Sequence, residues 1–140
     1  DGADAVAIRD GGEGDVTESH VIWKNDIGMP DICSPLVTDR HLLLVASYGG
    51  LICYDRMEGG EPIWEEDLGA MFSSSPSLAG DRIFLIGDDD DGQGWVVRAG
   101  PEACERVGEN SLGERCLTSP AFQAGRIYLR GEQHLFCITE

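Results

Sequence analysis

The chain is 140 residues long, 41% hydrophobic, and carries 26 acidic against 10 basic side chains, for a formal net charge of −16. The length suits one domain with a packed core. The charge excludes a nucleic-acid reader, which needs clustered Lys and Arg, and it disfavours an anionic membrane surface as partner.

In chain order, "DAVAIRDGGEGDVTESHVIWKND" (Asp4–Asp26) reads as two strands joined by a Gly-rich loop, with Trp23 in the second strand. Ser34-Pro35 follows, then an apolar run "LLLVA", the turn Tyr48-Gly49-Gly50, the run "LICY", and a further strand with Trp64. The same order returns at Ser75-Pro76 ("IFLI", an acidic turn, "WVV") and at Ser119-Pro120 ("IYL", "RGEQ", "LFCI"). The Ser-Pro pairs are 41 and 44 residues apart, and Trp23 and Trp64 are 41 apart, so the chain is an internal repeat with a period of ~42. Six residues after each proline stands a basic or His residue: His41, Arg82, Arg126.

Within one unit, short runs rich in Val, Ile, Leu and aromatics are bounded by Gly and Asp, which are strand and turn signals. Strands are expected at 35–38, 41–47, 51–55 and 62–67, with a turn over 56–61. No segment shows a sustained 3.6-residue period, so no helix is expected. Four antiparallel strands per ~42 residues predict an all-β fold of β-propeller blades. The blades are 1–28 (the last two strands), 29–69, 70–113 and 114–140 (the first three strands). Trp23 and Trp64 are expected to wedge between blades. The third unit's matching stretch, "ACERVGEN", has no Trp, and Val107 is the nearest apolar substitute.

Three candidate chemistries stand out. Asp88, Asp89, Asp90 and Asp91 form an acidic run that could ligate Ca²⁺; the EF-hand spacing fails because Gly92 falls on the third ligand position, and the plainer reading is an enlarged solvated loop. Among five cysteines, Cys104 and Cys116 flank a turn-rich stretch and could pair, while Cys53 and Cys137 read as small buried hydrophobes. His20, His41 and His134 are scattered, and no HExxH, G-x-S-x-G or P-loop segment occurs, so no catalytic residue is assigned. No run approaches the roughly 18 apolar residues of a membrane-spanning helix, so no membrane insertion is expected.

The elements Ser34-Pro35, Leu42–Ala46, Gly49-Gly50, Cys53-Tyr54-Asp55, Gly59-Gly60 and Trp64 resemble the pyrroloquinoline-quinone-like β-propeller repeat. The likeness spans Ala5 to Thr139, as in secreted bacterial repeat proteins, and the propeller of the outer-membrane β-barrel assembly lipoprotein resembles this repeat equally well. Enzymes of that family bind pyrroloquinoline quinone with Ca²⁺, which implies an adjacent Cys-Cys pair, a stacking Trp and Glu, Asn and Asp ligands. This chain has no adjacent cysteines, so no cofactor is expected in it. The resemblance therefore implies a non-catalytic binding or scaffolding module, secreted or periplasmic, with protein or glycan partners. The alternative is part of a quinoprotein-like oxidoreductase whose cofactor site lies outside these residues. About three blades fall short of the four to eight of a closed ring. The expectation is the C-terminal part of a larger propeller, the alternative a ring completed by another copy.

Overall fold

The computed structural model describes residues 4–46 and 48–139. Thirteen strands account for its regular structure, and no helix occurs among the described residues. A two-stranded first blade comprises β1 (Ala5–Ile8) and β2 (Val21–Asn25). The second blade holds β3 (Leu36–Val37), β4 (His41–Val45), β5 (Gly50–Asp55) and β6 (Gly59–Asp67). The third holds β7 (Ser77–Ala79), β8 (Arg82–Ile86), β9 (Gln93–Ala99) and β10 (Cys104–Ser111). The fourth holds β11 (Ala121–Gln123), β12 (Arg126–Arg130) and β13 (Leu135–Thr139). Each sheet is an antiparallel meander in sequence order.

The apolar runs are continuous because both faces of a central blade are covered. In β4 and β5 every residue from His41 to Tyr54 within the strands is buried. Leu43, Val45, Leu51, Cys53 and Trp64 face the third blade and meet Ile83, Leu85, Trp95 and Val97 in one core. Leu42, Leu44, Ala46, Ile52 and Tyr54 face the other way, towards Trp23 and Met29.

The expected strand over 62–67 starts earlier, at Gly59, because the turn is shorter than the sequence suggests. The Asp55 carboxylate accepts the backbone N–H groups of Met57 and Glu58 at 2.8 and 3.0 Å, closing the chain at once so that Gly59 already pairs with Asp55. Ser47, the expected end of the second strand, lies outside the described residues.

Two kinds of tie join consecutive blades. Along the inner strands, the Ser34 N–H donates to Ser75 Oγ and the Ser75 N–H to Ser119 Oγ, both at 2.9 Å. The hydroxyls of Ser75 and Ser119 thus each satisfy the backbone of the preceding Ser-Pro pair, and the proline that follows begins a strand without needing a ladder donor. Further out, Trp23 Nε1 donates to the Arg56 carbonyl and Trp64 Nε1 to the Gly100 carbonyl, each at 3.0 Å. These carbonyls occupy the turn between the third and fourth strands of the next blade. Trp23 lies so close over that turn that a Cβ on Gly59 would sit 2.6 Å from its ring.

The third blade departs from this rule, and not at the expected residue. Trp23 pairs with Ala7, and Trp64 with Cys53. The third-blade counterpart of Cys53 is Val96, since Leu43 pairs with Cys53 as Phe84 pairs with Val96. Val96 pairs with Gly108. Gly108 therefore occupies the tryptophan position, while Val107 falls in the register shift between Arg106 and Gly108 and is 38% exposed. A bulge residue is unpaired and splays out of the ladder, so an apolar side chain there cannot do the wedge's work.

Candidate functional site

Antiparallel order places the hairpins between second and third strands on one rim, together with the crossings from one blade to the next. The acidic run belongs to this rim. It follows β8 as the loop 87–92, where the second blade has the short turn ending at Gly49.

Its four carboxylates do different jobs. Asp88 Oδ1 accepts Arg115 Nε at 2.8 Å and also Arg115 Nη2, while Asp88 Oδ2 accepts Ser73 Oγ at 2.8 Å. The Asp88 N–H donates to the Met71 carbonyl at 2.7 Å. Asp88 thus fastens its hairpin to the two crossings that flank it, one entering the third blade and one entering the fourth. Burial pushes its carboxyl upward, but the hydrogen bonds from Ser73 and Arg115, with the guanidinium charge, outweigh that and hold it below its usual range. Asp89 turns inward on its own loop and accepts the N–H groups of Asp91 and Gln93 at 2.9 and 3.2 Å. The Asp91 carbonyl takes Ser111 Oγ and the backbone of Leu112 and Gly113. Asp90 and the Asp91 side chain are exposed. Among the described residues no three His, Cys, Asp or Glu side chains converge on a common point. The loop is also more than a solvated insertion: half of it is a clasp.

A second clasp repeats the device one blade on. Glu114 Oε1 accepts the N–H groups of Gln133 and His134 at 3.1 and 2.9 Å, and its Oε2 lies 2.8 Å from His134 Nδ1. The His134 side-chain hydrogen bond, and the two backbone donors, hold the Glu114 carboxyl below its usual range. Ser74 Oγ donates to the Ile86 carbonyl at 2.8 Å and Thr118 Oγ1 to the Arg130 carbonyl at 3.0 Å, so the residues before Ser75 and Ser119 cap the end of their own blade's second strand, whereas Cys33, before Ser34, donates to the Phe72 and Ser74 carbonyls of the next crossing. The sequence hid Arg115, Glu114 and Ser73. Arg115 lies 27 residues from Asp88, and nothing local marks the pair.

The remaining candidates fall elsewhere. All five cysteines are free thiols; Cys53 is buried as expected, whereas Cys137 is exposed, because its strand β13 is the outer edge of the fourth sheet. Cys104 packs against the core between the second and third blades, and Cys116 is buried between the third and fourth, donating to the Arg130 carbonyl at 3.3 Å. The pairing of Cys104 with Cys116 is therefore not made. Burial lifts the Cys53 thiol to about 12 and Cys104 to about 11, so neither is a thiolate at neutral pH. His41 is buried at the start of β4, whereas His20 and His134 sit just ahead of β2 and β13 rather than inside them.

The three tryptophans, one of which the resemblance would have stack on a quinone, are placed as follows. Trp23 and Trp64 are committed to blade contacts through their Nε1 donors, and Trp95 is buried edge-on against Phe72, with ring centroids 5.6 Å apart and planes at 60°. Trp64 and Trp95 are buried and Trp23 is half-buried, and the chain has no adjacent cysteines.

Comparison with known proteins agrees with the repeat. The family described as outer membrane protein assembly factor BamB matches residues 14–129. A Bordetella pertussis protein described as outer membrane protein assembly factor BamB is 34% identical over 90 residues, which cover 63% of this chain and 22% of that protein. The chain thus spans about a fifth of that relative's length. Among solved structures, BamB from Moraxella catarrhalis superposes with a TM-score of 0.63 at 14% identity, covering 84% of this chain and 36% of that one. The quinohemoprotein alcohol dehydrogenase from Comamonas testosteroni superposes with a TM-score of 0.58 at 14% identity, over 78% of this chain and 24% of the enzyme. At such identities the two structures speak to the fold alone.

Proposed function

This chain belongs to the PQQ-like β-propeller repeat family of the outer membrane protein assembly factors, and from that premise we propose that it is a non-catalytic segment of a larger propeller that holds protein partners in the periplasm. The observation that carries this reading is how the conspicuous polar groups are used. Asp88, Arg115, Ser73, Glu114 and the hydroxyls of Ser75 and Ser119 all bind other parts of the same propeller. Their work is to hold blades in register, which leaves loop surface for contact. A propeller of this kind offers two rims of short loops on a rigid frame, and rigid presentation of loops is what a scaffold needs.

The test is a pair of measurements on the full chain. Photo-crosslinkers placed at the exposed rim positions Tyr48, Asp90 and Glu132 are expected to capture one defined periplasmic protein. Titration with pyrroloquinoline quinone and Ca²⁺ is expected to give neither a shifted quinone absorbance nor alcohol-dependent dye reduction. Quinone-dependent dye reduction would establish the oxidoreductase reading in place of this one.

A further inference from the structure

The two rims of the blades differ in what their loops expose. Outside the strands, the exposed large apolar side chains among the described residues are Ile27, Ile32, Tyr48, Met57, Met71 and Leu117. All but Met57 stand on the rim that carries the acidic run, in the crossings from blade to blade and in the hairpin before β5. Ile32 is 69% exposed, Met71 65% and Tyr48 62%. The elements that carry them touch in turn. A Cβ on Gly28, in the crossing into the second blade, would lie 3.7 Å from the Tyr48 hydroxyl. The Leu68 N–H, at the start of the next crossing, donates to the Gly49 carbonyl at 3.4 Å. The Met71 carbonyl takes the Asp88 N–H, and Asp88 holds Arg115 of the crossing that carries Leu117. Ile32, Tyr48, Met71 and Leu117 thus follow one another along the rim, interrupted by the acidic hairpin.

Charge is divided the same way. Arg9, Arg40, Arg56, Arg82 and Arg126 stand at the opposite rim, in its turns or at the strand ends that meet them, among Asp39, Glu58 and Asp81. The loops of the apolar rim hold one arginine, Arg115, and Asp88 occupies it. Arg130, last in β12, alternates with the buried Leu129 and faces away from the third blade. The exposed carboxylates of Asp26, Asp31, Asp90, Asp91 and Glu132 are in no ion pair among the described residues.

An apolar row edged with unpaired carboxylates selects its partner. Covering Tyr, Met and aliphatic side chains takes apolar surface in return, and Tyr and Met are enriched where proteins dock. The carboxylates repel an acidic surface and steer a cationic one. We propose that this rim docks a basic polypeptide segment carrying apolar side chains, the apolar groups seated on Ile32, Tyr48, Met71 and Leu117 and the Arg or Lys groups beside Asp90 and Asp91. This names the chemistry of the partner and rests on the scaffold reading above.

The probe is a labelled peptide of alternating Arg and Leu, titrated into the full chain by fluorescence anisotropy, with Arg-Ser and Glu-Leu peptides of equal length as controls. The Arg-Leu peptide is expected to bind saturably, about tenfold or more tighter than either control. Ile32→Ser with Met71→Ser, and separately Asp90→Asn with Asp91→Asn, should each weaken it by about tenfold. Met57→Ser, on the opposite rim, should leave it unchanged. All these side chains are exposed, so the variants should melt with the parent. Equal affinity for the Arg-Ser peptide would reduce the site to charge alone, and equal affinity for the Glu-Leu peptide to apolar adsorption. Affinity unchanged in either double variant, or lost in Met57→Ser, would place binding elsewhere. Each of these outcomes overturns the proposal, as does no binding at millimolar peptide. Sedimentation with phosphatidylcholine vesicles, abolished by Ile32→Ser with Met71→Ser, would give the row to a lipid surface and overturn it too. A crosslinked partner whose contact segment is acidic overturns this inference and leaves the scaffold reading standing. Quinone-dependent dye reduction overturns that reading and leaves the peptide measurement untouched.

Discussion

The interface between the second and third blades and that between the third and fourth are built on one plan with opposite results. The first encloses a continuous core from Cys33 through Trp64 to Val97. The second buries only Ile86, Cys116 and Leu129 and otherwise stands open. Both have the serine tie or a clasp near the rim, so polar ties do not by themselves close a blade interface. Two features separate them: the indole present at position 64 and absent at 108, and the fourth strand, which the third blade has and the fourth lacks among the described residues. In a repeat protein each unit is stabilised by its neighbours, so a single missing wedge weakens one joint without dissolving the array.

The largest test exchanges the two joints. Trp64→Gly should cost about 3–5 kcal/mol, the usual price of deleting a large buried aromatic, against a total stability of about 5–15 kcal/mol for a domain. Urea unfolding should show a much lower midpoint, with the third blade's amides losing hydrogen-exchange protection first. A loss below about 1 kcal/mol would mean that the tryptophan is not what closes the joint. The reverse exchange, Gly108→Trp, should raise stability by about 1–2 kcal/mol through burial against Val96 and Ile138, and protection should rise in β12 and β13. Protection unchanged there would show that the new ring has not entered the cleft.

How much of this could be read from the residues follows from the range of the interactions. The period, the strands and the turns are local, and they stand in the sequence as apolar runs between Gly, Pro and Asp. The missing wedge was legible only as an absence. Val107 drew attention because it is apolar, but a bulge moves the pairing by one and puts Gly108 on the inner face. The role of the serines was visible as spacing and invisible as chemistry, since the bond runs from one unit's backbone to the next unit's hydroxyl. The clasp at Asp88 was unreadable: its partners lie 15 and 27 residues away on different crossings. The acidic run looked like a ligand set because adjacent carboxylates suggest a cation, and here the cation is a guanidinium.

That clasp gives the next test, since it ties the open joint at its rim. The native Asp88 carboxyl titrates below its unfolded value, so its stabilisation is full above about pH 4 and is lost as pH falls through the lower native value. Glu114 is shifted the same way and adds to the same acid loss. Asp88→Asn should lower the melting temperature by a few degrees at pH 7 and by less at pH 3, where the unfolded carboxyl is already mostly protonated and the stabilisation has begun to be lost. An equal deficit at both pH values would assign the effect to shape, not to charge.

The smallest expected effect concerns the turn that floors the cleft. The hairpin between first and second strands is solved three ways in three blades. In the second blade Thr38 closes it, its Oγ1 accepting the His41 N–H at 3.0 Å, and no residue needs positive φ. In the third, Gly80 takes φ of 63°. In the fourth the equivalent residue is Ala124, at φ of 42°, the one non-glycine residue with positive φ among those described. An L-residue in that region costs about 1–2 kcal/mol, while glycine's extra freedom in the unfolded chain costs about 0.5–1 kcal/mol. The first outweighs the second, so Ala124→Gly should stabilise by about 0.5 kcal/mol. The same change in the second blade, Asp39→Gly, meets no strain to relieve and should destabilise by a similar amount. Opposite signs in urea titrations of the two variants would place strain in the fourth blade's turn and none in the second's. Equal signs would show that the fourth blade's turn carries no strain that glycine relieves.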